Sequence, residues 1–351
     1  MKIFKISILS LVLFASTITF GQETEVVTEE ATPTFSVSGS VDTYFRSSEF
    51  APNTSFAGIP GFALGMANIV FSYEGEKHGF VADFVFGPRG IEAVFNSSGS
   101  SNIINQLYAY YNLSDSFTLT LGNFNTFLGY EVISPLANFN YSTSYMFSYG
   151  PFSHAGIKAD FTFSDDVSLM VAVLNQTDYT EGNFNSDPNS DGAIFNKYLY
   201  GVKLGIYGQY INLLAGEDYT QLDFTGGLDL SDSFFLGVNA TSTDLGGDIG
   251  FSGIALYPQV ALSESFSIGL RGEIFSETNG GVGALYTGNL DGRIEDADNT
   301  SVTITGSYTN GNFVLKPEFR IDTASANIYS KNATDFSDNL ASFVVAAIYS
   351  F

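Results

Sequence analysis

From Phe35 onward, apolar and polar residues alternate with a period of two over most of the chain. In the first such stretch Phe35, Val37, Gly39, Val41, Thr43 and Phe45 alternate with Ser36, Ser38, Ser40, Asp42, Tyr44 and Arg46, the spacing of a strand with two unlike faces. The chain closes the same way. Phe343, Val345, Ala347 and Tyr349 share one face, and Ser342, Ala346 and Ser350 the other, where Val344 and Ile348 blur the contrast. Between such stretches a turn recurs: Leu113-Ser-Asp-Ser-Phe117, Phe163-Ser-Asp-Asp-Val167, Leu230-Ser-Asp-Ser-Phe234 and Leu262-Ser-Glu-Ser-Phe266. Ser and Asp bend a backbone by hydrogen bonding to it locally, so each motif predicts a tight hairpin. Thr309-Asn-Gly-Asn-Phe313, Gly208-Gln209 and the stretch from Glu74 to Gly79 fill the same slot.

The alternate connections are long, polar and glycine-rich: 47–61, 88–102, 125–152, 175–196, 241–249, 276–300 and 323–338, with a shorter one near Gly216. Short turns alternating with long loops, both termini falling on the short side, predict an all-β fold. The expectation is a transmembrane antiparallel up-and-down β-barrel of roughly 16 strands, about 14 to 18, with short periplasmic turns and long extracellular loops. A soluble β-sandwich or β-solenoid would also alternate, but would leave many aromatic faces uncovered. Pro258 and Pro317 fall inside predicted strands. A closed barrel has no free edge for a residue lacking an N–H, so bulges or strand ends are expected there.

Lys2 and Lys5 precede an apolar run from Ile6 to Phe14 and a small, polar end at Gly21, the layout of a secretory signal. The run falls well short of the ~20 apolar residues of a spanning helix. The expected organisation is a signal peptide over 1–21 cleaved near Gln22, an acidic flexible leader over 22–34 and the barrel over 35–351. No later apolar run has helix length, so strands must carry any membrane crossing, because only helices and closed barrels satisfy every backbone group in lipid.

Composition adds constraints. The chain has no cysteine, which removes disulfides, thiol catalysis and lipoprotein acylation. A formal net charge of −24, deepened by loss of Lys2 and Lys5 with the signal, argues against nucleic acid and anionic lipid surfaces as partners. Taking the more apolar strand face as lipid-facing, the inward face collects Arg46, Asp83, Arg89, Lys158, Asp160, Lys203, Arg271, Glu273, Lys316, Glu318 and Arg320 as pore-lining candidates, with Asp42, Asp223 and Asp322 beside them. Charges belong in a polar lumen rather than against hydrocarbon, and at this strand number the lumen is wide enough for water. Such charges either form rings that select solutes, or neutralise one another along the strand, as Lys158/Asp160 and Arg271/Glu273 could, and stiffen the wall.

Three motifs stand close together: Gly122-Asn-Phe-Asn-Thr126-Phe-Leu-Gly129-Tyr-Glu131, Asn138-Phe-Asn140-Tyr141-Ser142-Thr-Ser144 and Pro151-Phe-Ser-His154-Ala-Gly156. This region resembles the signature of the OmpL-like β-barrel porins of Gram-negative bacteria. Where that family carries Asn-Gly-Trp-Asp after the next hairpin, this chain has Asn175-Gln-Thr-Asp178. The resemblance implies an outer-membrane barrel that passes small hydrophilic solutes by diffusion, in contact with outer-membrane lipid. A non-conducting surface barrel whose long acidic loops bind a ligand or partner is the alternative. The terminal Phe351 resembles the closing aromatic of such barrels and is the candidate signal for the barrel-assembly machinery.

Read on its own residues, the 125–152 loop is too apolar for free solvation, with Phe127, Leu128, Tyr130, Ile133, Tyr145 and Phe147 among its side chains. It is expected to fold into the barrel mouth and narrow it, with Glu131, Asn138, Asn140, Tyr141 and Ser142 on the constriction. A lid packed on the other loops is the competing arrangement. Chemistry beyond transport has little support. His78 and His154 are predicted at opposite ends of the barrel, with no triad-like set around either, so no catalytic residue is expected. Asp187-Pro-Asn189-Ser-Asp191-Gly192 matches half of a calcium loop, but Tyr198 stands where the bidentate Glu is required. That leaves no cofactor beyond weak surface calcium, and no ligand set for zinc.

Overall fold

The computed structural model describes residues 33–180, 198–280, 284–285, 297–332 and 335–351. The expected signal peptide, the leader up to residue 32 and the half-calcium loop at 187–192 lie outside the described residues. In chain order the strands are β1 Thr34–Arg46, β2 Gly61–Glu74, β3 His78–Phe86, β4 Ile104–Ser114, β5 Phe117–Asn125, β6 Ser153–Ser164, β7 Val167–Leu174, β8 Leu199–Ile206, β9 Gln209–Ala215, β10 Thr220–Ser231, β11 Phe234–Asp244, β12 Gly250–Ala261, β13 Phe266–Thr278, β14 Ala297–Asn310, β15 Phe313–Ala324, β16 Tyr329–Ser330, β17 Phe336–Ser337 and β18 Asn339–Ser350. All but the loop hairpin β16–β17 join one closed antiparallel barrel of 16 strands. β18 closes it on β1, with Asp42 opposite Ile348 and Arg46 opposite Val344.

The hairpins form as their residues dictate. In all four repeated motifs the first Ser accepts from the backbone N–H two residues on, at 3.3 Å: Ser114 from Ser116, Ser164 from Asp166, Ser231 from Ser233 and Ser263 from Ser265. The carbonyl ending each turn is used as well. Ser116, Asp166, Ser233 and Ser265 accept from Thr162, Tyr207, Ala261 and Thr309, stitching each turn to a neighbouring strand.

The two strand faces also fall as the period of two predicts. Outward side chains such as Val41, Leu121, Ile157, Ile254 and Phe343 are exposed to the lipid side, whereas inward Ser40, Asp42, Tyr44 and Arg46 are buried. The apolar inward residues of the closing strand, Val344, Ala346 and Ile348, pack with Tyr44, Val314 and the loop residue Tyr141.

The prolines differ from expectation. Neither produces a bulge or ends a strand. Across β12 and β13 the register is the same on both sides of Pro258, Leu256 opposite Gly272 and Gln259 opposite Gly269, and only the two intervening pairs are missing. Pro317 leaves an identical gap against β14, between Thr305–Glu318 and Tyr308–Leu315, while its pairing with Val345 on β18 persists. One missing N–H interrupts one side of one strand, and the rest of a closed ladder holds the register.

Candidate functional site: a loop docked across the barrel lumen

Among the loops, L3 (residues 126–152) leaves β5, crosses the lumen and returns to β6. It touches lumen-facing residues of β1, β10 and β12 to β15. In the barrel order β13 stands half-way round the ring from β5, so the loop spans the full diameter. Its one short helix (Tyr145–Tyr149) is capped by the Ser144 side chain, which accepts from the Phe147 N–H. The rest of L3 lacks regular structure, so its backbone groups need partners from elsewhere.

Charged side chains of the wall, joined by Arg89 from the loop after β3, supply them. The Glu273 carboxylate accepts from the N–H groups of Tyr145 and Met146 at 2.9 and 2.8 Å. The Glu318 carboxylate accepts from those of Tyr141 and Ser142 at 2.8 and 3.1 Å, and Asp223 from Gly129 at 3.1 Å. Cations take the carbonyls. Arg271 donates to Ser142 O at 2.6 Å and Arg320 to Thr143 O at 2.7 Å. Lys316 donates to Pro135 O at 2.8 Å and also to Asn138 O, and Arg89 to Ile133 O at 2.9 Å. Glu131, on the loop itself, accepts from Ser144 N at 2.7 Å and pairs with Arg271, also at 2.7 Å. Charge-assisted bonds are the strong class, and here they replace a secondary structure. Tyr141 adds another: its hydroxyl, which burial holds well above the ordinary tyrosine value, donates to the Asp42 carboxylate at 2.5 Å.

Glycines on the wall make room for the loop. A Cβ on Gly201 of β8 would stand 2.8 Å from the Phe127 ring, and one on Gly237 of β11 would stand 2.5 Å from the Tyr130 hydroxyl. Gly253 of β12 likewise faces Met146, and Gly269 of β13 faces the Phe139 ring inside van der Waals contact. Tyr130 completes its seat by stacking on Tyr257, ring centroids 4.3 Å apart.

The predicted lining residues therefore fall into two sets. Arg271, Glu273, Lys316, Glu318 and Arg320 are buried under L3. Arg46 is buried too, donating to Phe50 O and Ala57 O in the loop after β1, and Asp83 accepts from Asn105 at 2.7 Å. Arg89 is not on a strand: it lies on a short helix (Pro88–Ala93) in the loop after β3, because Gly87-Pro88 ends that strand at Phe86. The Lys158–Asp160 pair, 2.6 Å apart with side chains 24% and 40% exposed, stays in contact with water. Half-buried Lys203 stands 4.3 Å over the Tyr210 ring.

The loop's own candidates, Glu131, Asn138, Asn140, Tyr141 and Ser142, are all buried and serve the tether to the wall, not the water-exposed face. That face carries Val132 and Leu136. A small pocket remains on the β10–β11 side, where Leu128, Met146 and Phe147 of L3 face Gln221, Asp223 and Asn239. Reasoning from single charged residues overlooked Gln221 and Asn239. The signal was the inward polar alternation Gln221, Asp223, Thr225 on β10 and Asn239, Thr241, Thr243 on β11.

Two motif residues sit at the root of the loop. His154 is buried, its Nε2 2.9 Å from Thr126 Oγ1 and its ring against Phe124 and Phe127. Asp178, which ends Asn175-Gln-Thr-Asp178, accepts from the N–H groups of Phe152 and Ser153 at 2.7 and 2.9 Å. At the other end of the barrel, exposed Phe351 exchanges two backbone hydrogen bonds with Gly39 of β1, at 3.1 and 3.0 Å.

Solved structures of low identity share this fold. A loop-deletion form of OmpT from Vibrio cholerae, described as an outer membrane protein, is 12% identical with a TM-score of 0.58, over 91% of this chain and 99% of that one. The outer membrane channel DcaP of Acinetobacter baumannii is 12% identical with a TM-score of 0.55, over 91% and 97%. No curated protein matches the sequence. A family model described as "Putative beta-barrel porin-2, OmpL-like" matches residues 34–351.

Proposed function

The chain belongs to the beta-barrel porin-2, OmpL-like family, and from that premise we propose that it is an outer-membrane channel for passive diffusion of small hydrophilic solutes, narrowed by L3. Its setting is the outer-membrane lipid of a Gram-negative cell. The observation that carries the reading is the docked loop: a polar-walled barrel is spanned by a segment that narrows its lumen, with a small pocket beside it at β10–β11 and the partly exposed Lys158–Asp160 pair on the wall. Export would remove the signal peptide over 1–21, and assembly machinery would read Phe351.

Single-channel conductance of the refolded protein in planar bilayers tests the proposal. Steady steps are expected, and deleting 131–146 is expected to enlarge them. Unchanged conductance in a folded deletion barrel would refute the constriction. One observation favours the second reading, a non-conducting barrel that binds a ligand through its loops. Part of the inward surface is filled by apolar side chains, among them Leu128, Leu174, Leu199 and Leu214. Absence of steps would support that reading.

A further inference from the structure

We propose that this channel passes cations in preference to anions, an inference that rests on the diffusion reading above. At the extracellular end, every exposed charged side chain among the described residues is acidic except Lys331. At the periplasmic end the same holds except for Lys77, with Asp115, Asp165, Asp166, Asp232 and Glu264 all on the exposed hairpin turns. A permeant ion therefore meets negative potential at both mouths, and charge at a low-dielectric opening concentrates the counter-ion.

The interior points the same way. Arg271 is paired with Glu131 and Arg320 with Asp322, and Lys316, which donates to the Pro135 and Asn138 carbonyls, is buried under L3 away from the pocket at Gln221 and Asp223. Lys158 is neutralised by Asp160 at 2.6 Å, and Lys203 lies against the Tyr210 ring. Several buried carboxylates have no such balance, Asp42, Asp83 and Asp223 among them. Asp83 accepts only from the side-chain amides of Asn68, Asn105 and Gln106. Asp223 accepts from Asn212 at 2.8 Å, Asn239 at 2.7 Å and the Gly129 N–H, and it lines the pocket beside L3. Neutral donors satisfy its lone pairs without cancelling its charge. A cation passing L3 on the β10–β11 side gains what an anion there must oppose.

Reversal potentials of the refolded barrel in a KCl gradient test this. Near 0.1 M salt, where the Debye length is about 10 Å, a K+ over Cl− permeability ratio on the order of tenfold is expected. At about 1 M, where it is about 3 Å, the ratio should fall toward unity. Two variants locate the source. One neutralises the exposed turns (D115N, D165N, D166N, D232N and E264Q together), where no barrel contact is lost, and the other is Asp223→Asn. Each is expected to lower the low-salt ratio. A ratio at or below unity at low salt in a conducting barrel, or one unmoved by both variants, overturns the inference. Complete absence of conductance overturns instead the channel reading on which it stands.

Discussion

Arg271 is the most heavily committed cation of the loop–wall contact, and replacing it by Met measures that contact. Its guanidinium is fully buried and donates to Glu131 Oε1 at 2.7 Å, Ser142 O at 2.6 Å, and more distantly to the hydroxyls of Ser142 and Thr303. Methionine keeps most of the volume and removes the charge. Glu131, nearly as buried, then retains only the Ser144 N–H, and Ser142 O loses its donor. Removing one partner of a buried ion pair costs about 3–5 kcal/mol. That cost falls on the docked state of L3 and not on the barrel, because the β13 ladder to β14 uses the Arg271 backbone, which Met also has. At about 1.4 kcal/mol per factor of ten, the ratio of docked to undocked loop falls by roughly a hundredfold to a thousandfold or more. Heat-modifiable migration would first establish that the barrel is folded. Single-channel conductance and proteolytic nicking within 126–152 then report the loop, and both should rise. Adding Glu131→Gln should restore part of the loss, because it removes the stranded charge, and the two singles and the double form a cycle that isolates the pair. A folded Arg271→Met barrel with wild-type conductance and a protected loop would refute the assignment of these charges to loop docking.

Three further perturbations address other parts of the molecule. Gly269→Val places atoms where the Phe139 ring lies and should expose L3 to protease, whereas Gly272→Ala on the same strand, with nothing within 4 Å of its Cβ position, should leave it protected; equal behaviour of the two would remove the case for glycine seats. Burial pushes the Asp178 carboxyl up from 3.8 to about 6. The folded state therefore holds that proton more tightly than the unfolded one, and the group's contribution to the loop root is complete below pH ~3.8 and is lost as pH rises through 6. Amide exchange at Phe152 and Ser153, corrected for its intrinsic pH dependence, should lose protection across that window, and Asp178→Asn should flatten the profile. Phe351→Ser should lower the yield of assembled barrel while any assembled barrel conducts normally, and normal yield would count against an assembly role.

The sequence makes the wall legible because its signals are local. A Ser-Asp-Ser turn carries its own hydrogen bond, and an alternating strand carries its own two faces, so strand number, loop order and the inward position of Arg271 or Glu318 can be read directly. What the charges do is not local. Tyr145 and Glu273 are 128 positions apart, and Thr143 and Arg320 are 177; no spacing rule joins them. The glycines that seat L3 are equally silent, since the alternation puts Gly201 and Gly237 on the inward face but nothing local says that the Phe127 ring and the Tyr130 hydroxyl lie against them. Pro258 and Pro317 misled for the opposite reason. The rule for an isolated ladder bond is local, but register in a closed barrel is held by neighbours on both sides.

The same distinction bears on the recurring i, i+2 charge pairs. Arg271/Glu273, Lys316/Glu318, Arg320/Asp322 and Lys158/Asp160 each put opposite charges on one strand face, about 6.6 Å apart along the strand, and from sequence alone each would neutralise itself. Lys158 with Asp160 and Arg320 with Asp322 do so, at 2.6 and 2.8 Å. Arg271 and Glu273 do not. The arginine pairs with Glu131 and holds the Ser142 carbonyl, and the glutamate holds the N–H groups of Tyr145 and Met146. Their order on the strand therefore matches the order of acceptors and donors along L3. Exchanging them (R271E with E273R) preserves the charge of the wall and the composition of the lumen while turning each group against the wrong loop atoms. If these residues act as a generic charged lining, conductance and loop protection are unchanged. If they template the loop, the exchange releases L3 as fully as Arg271→Met does, in a barrel that still shows heat-modifiable migration.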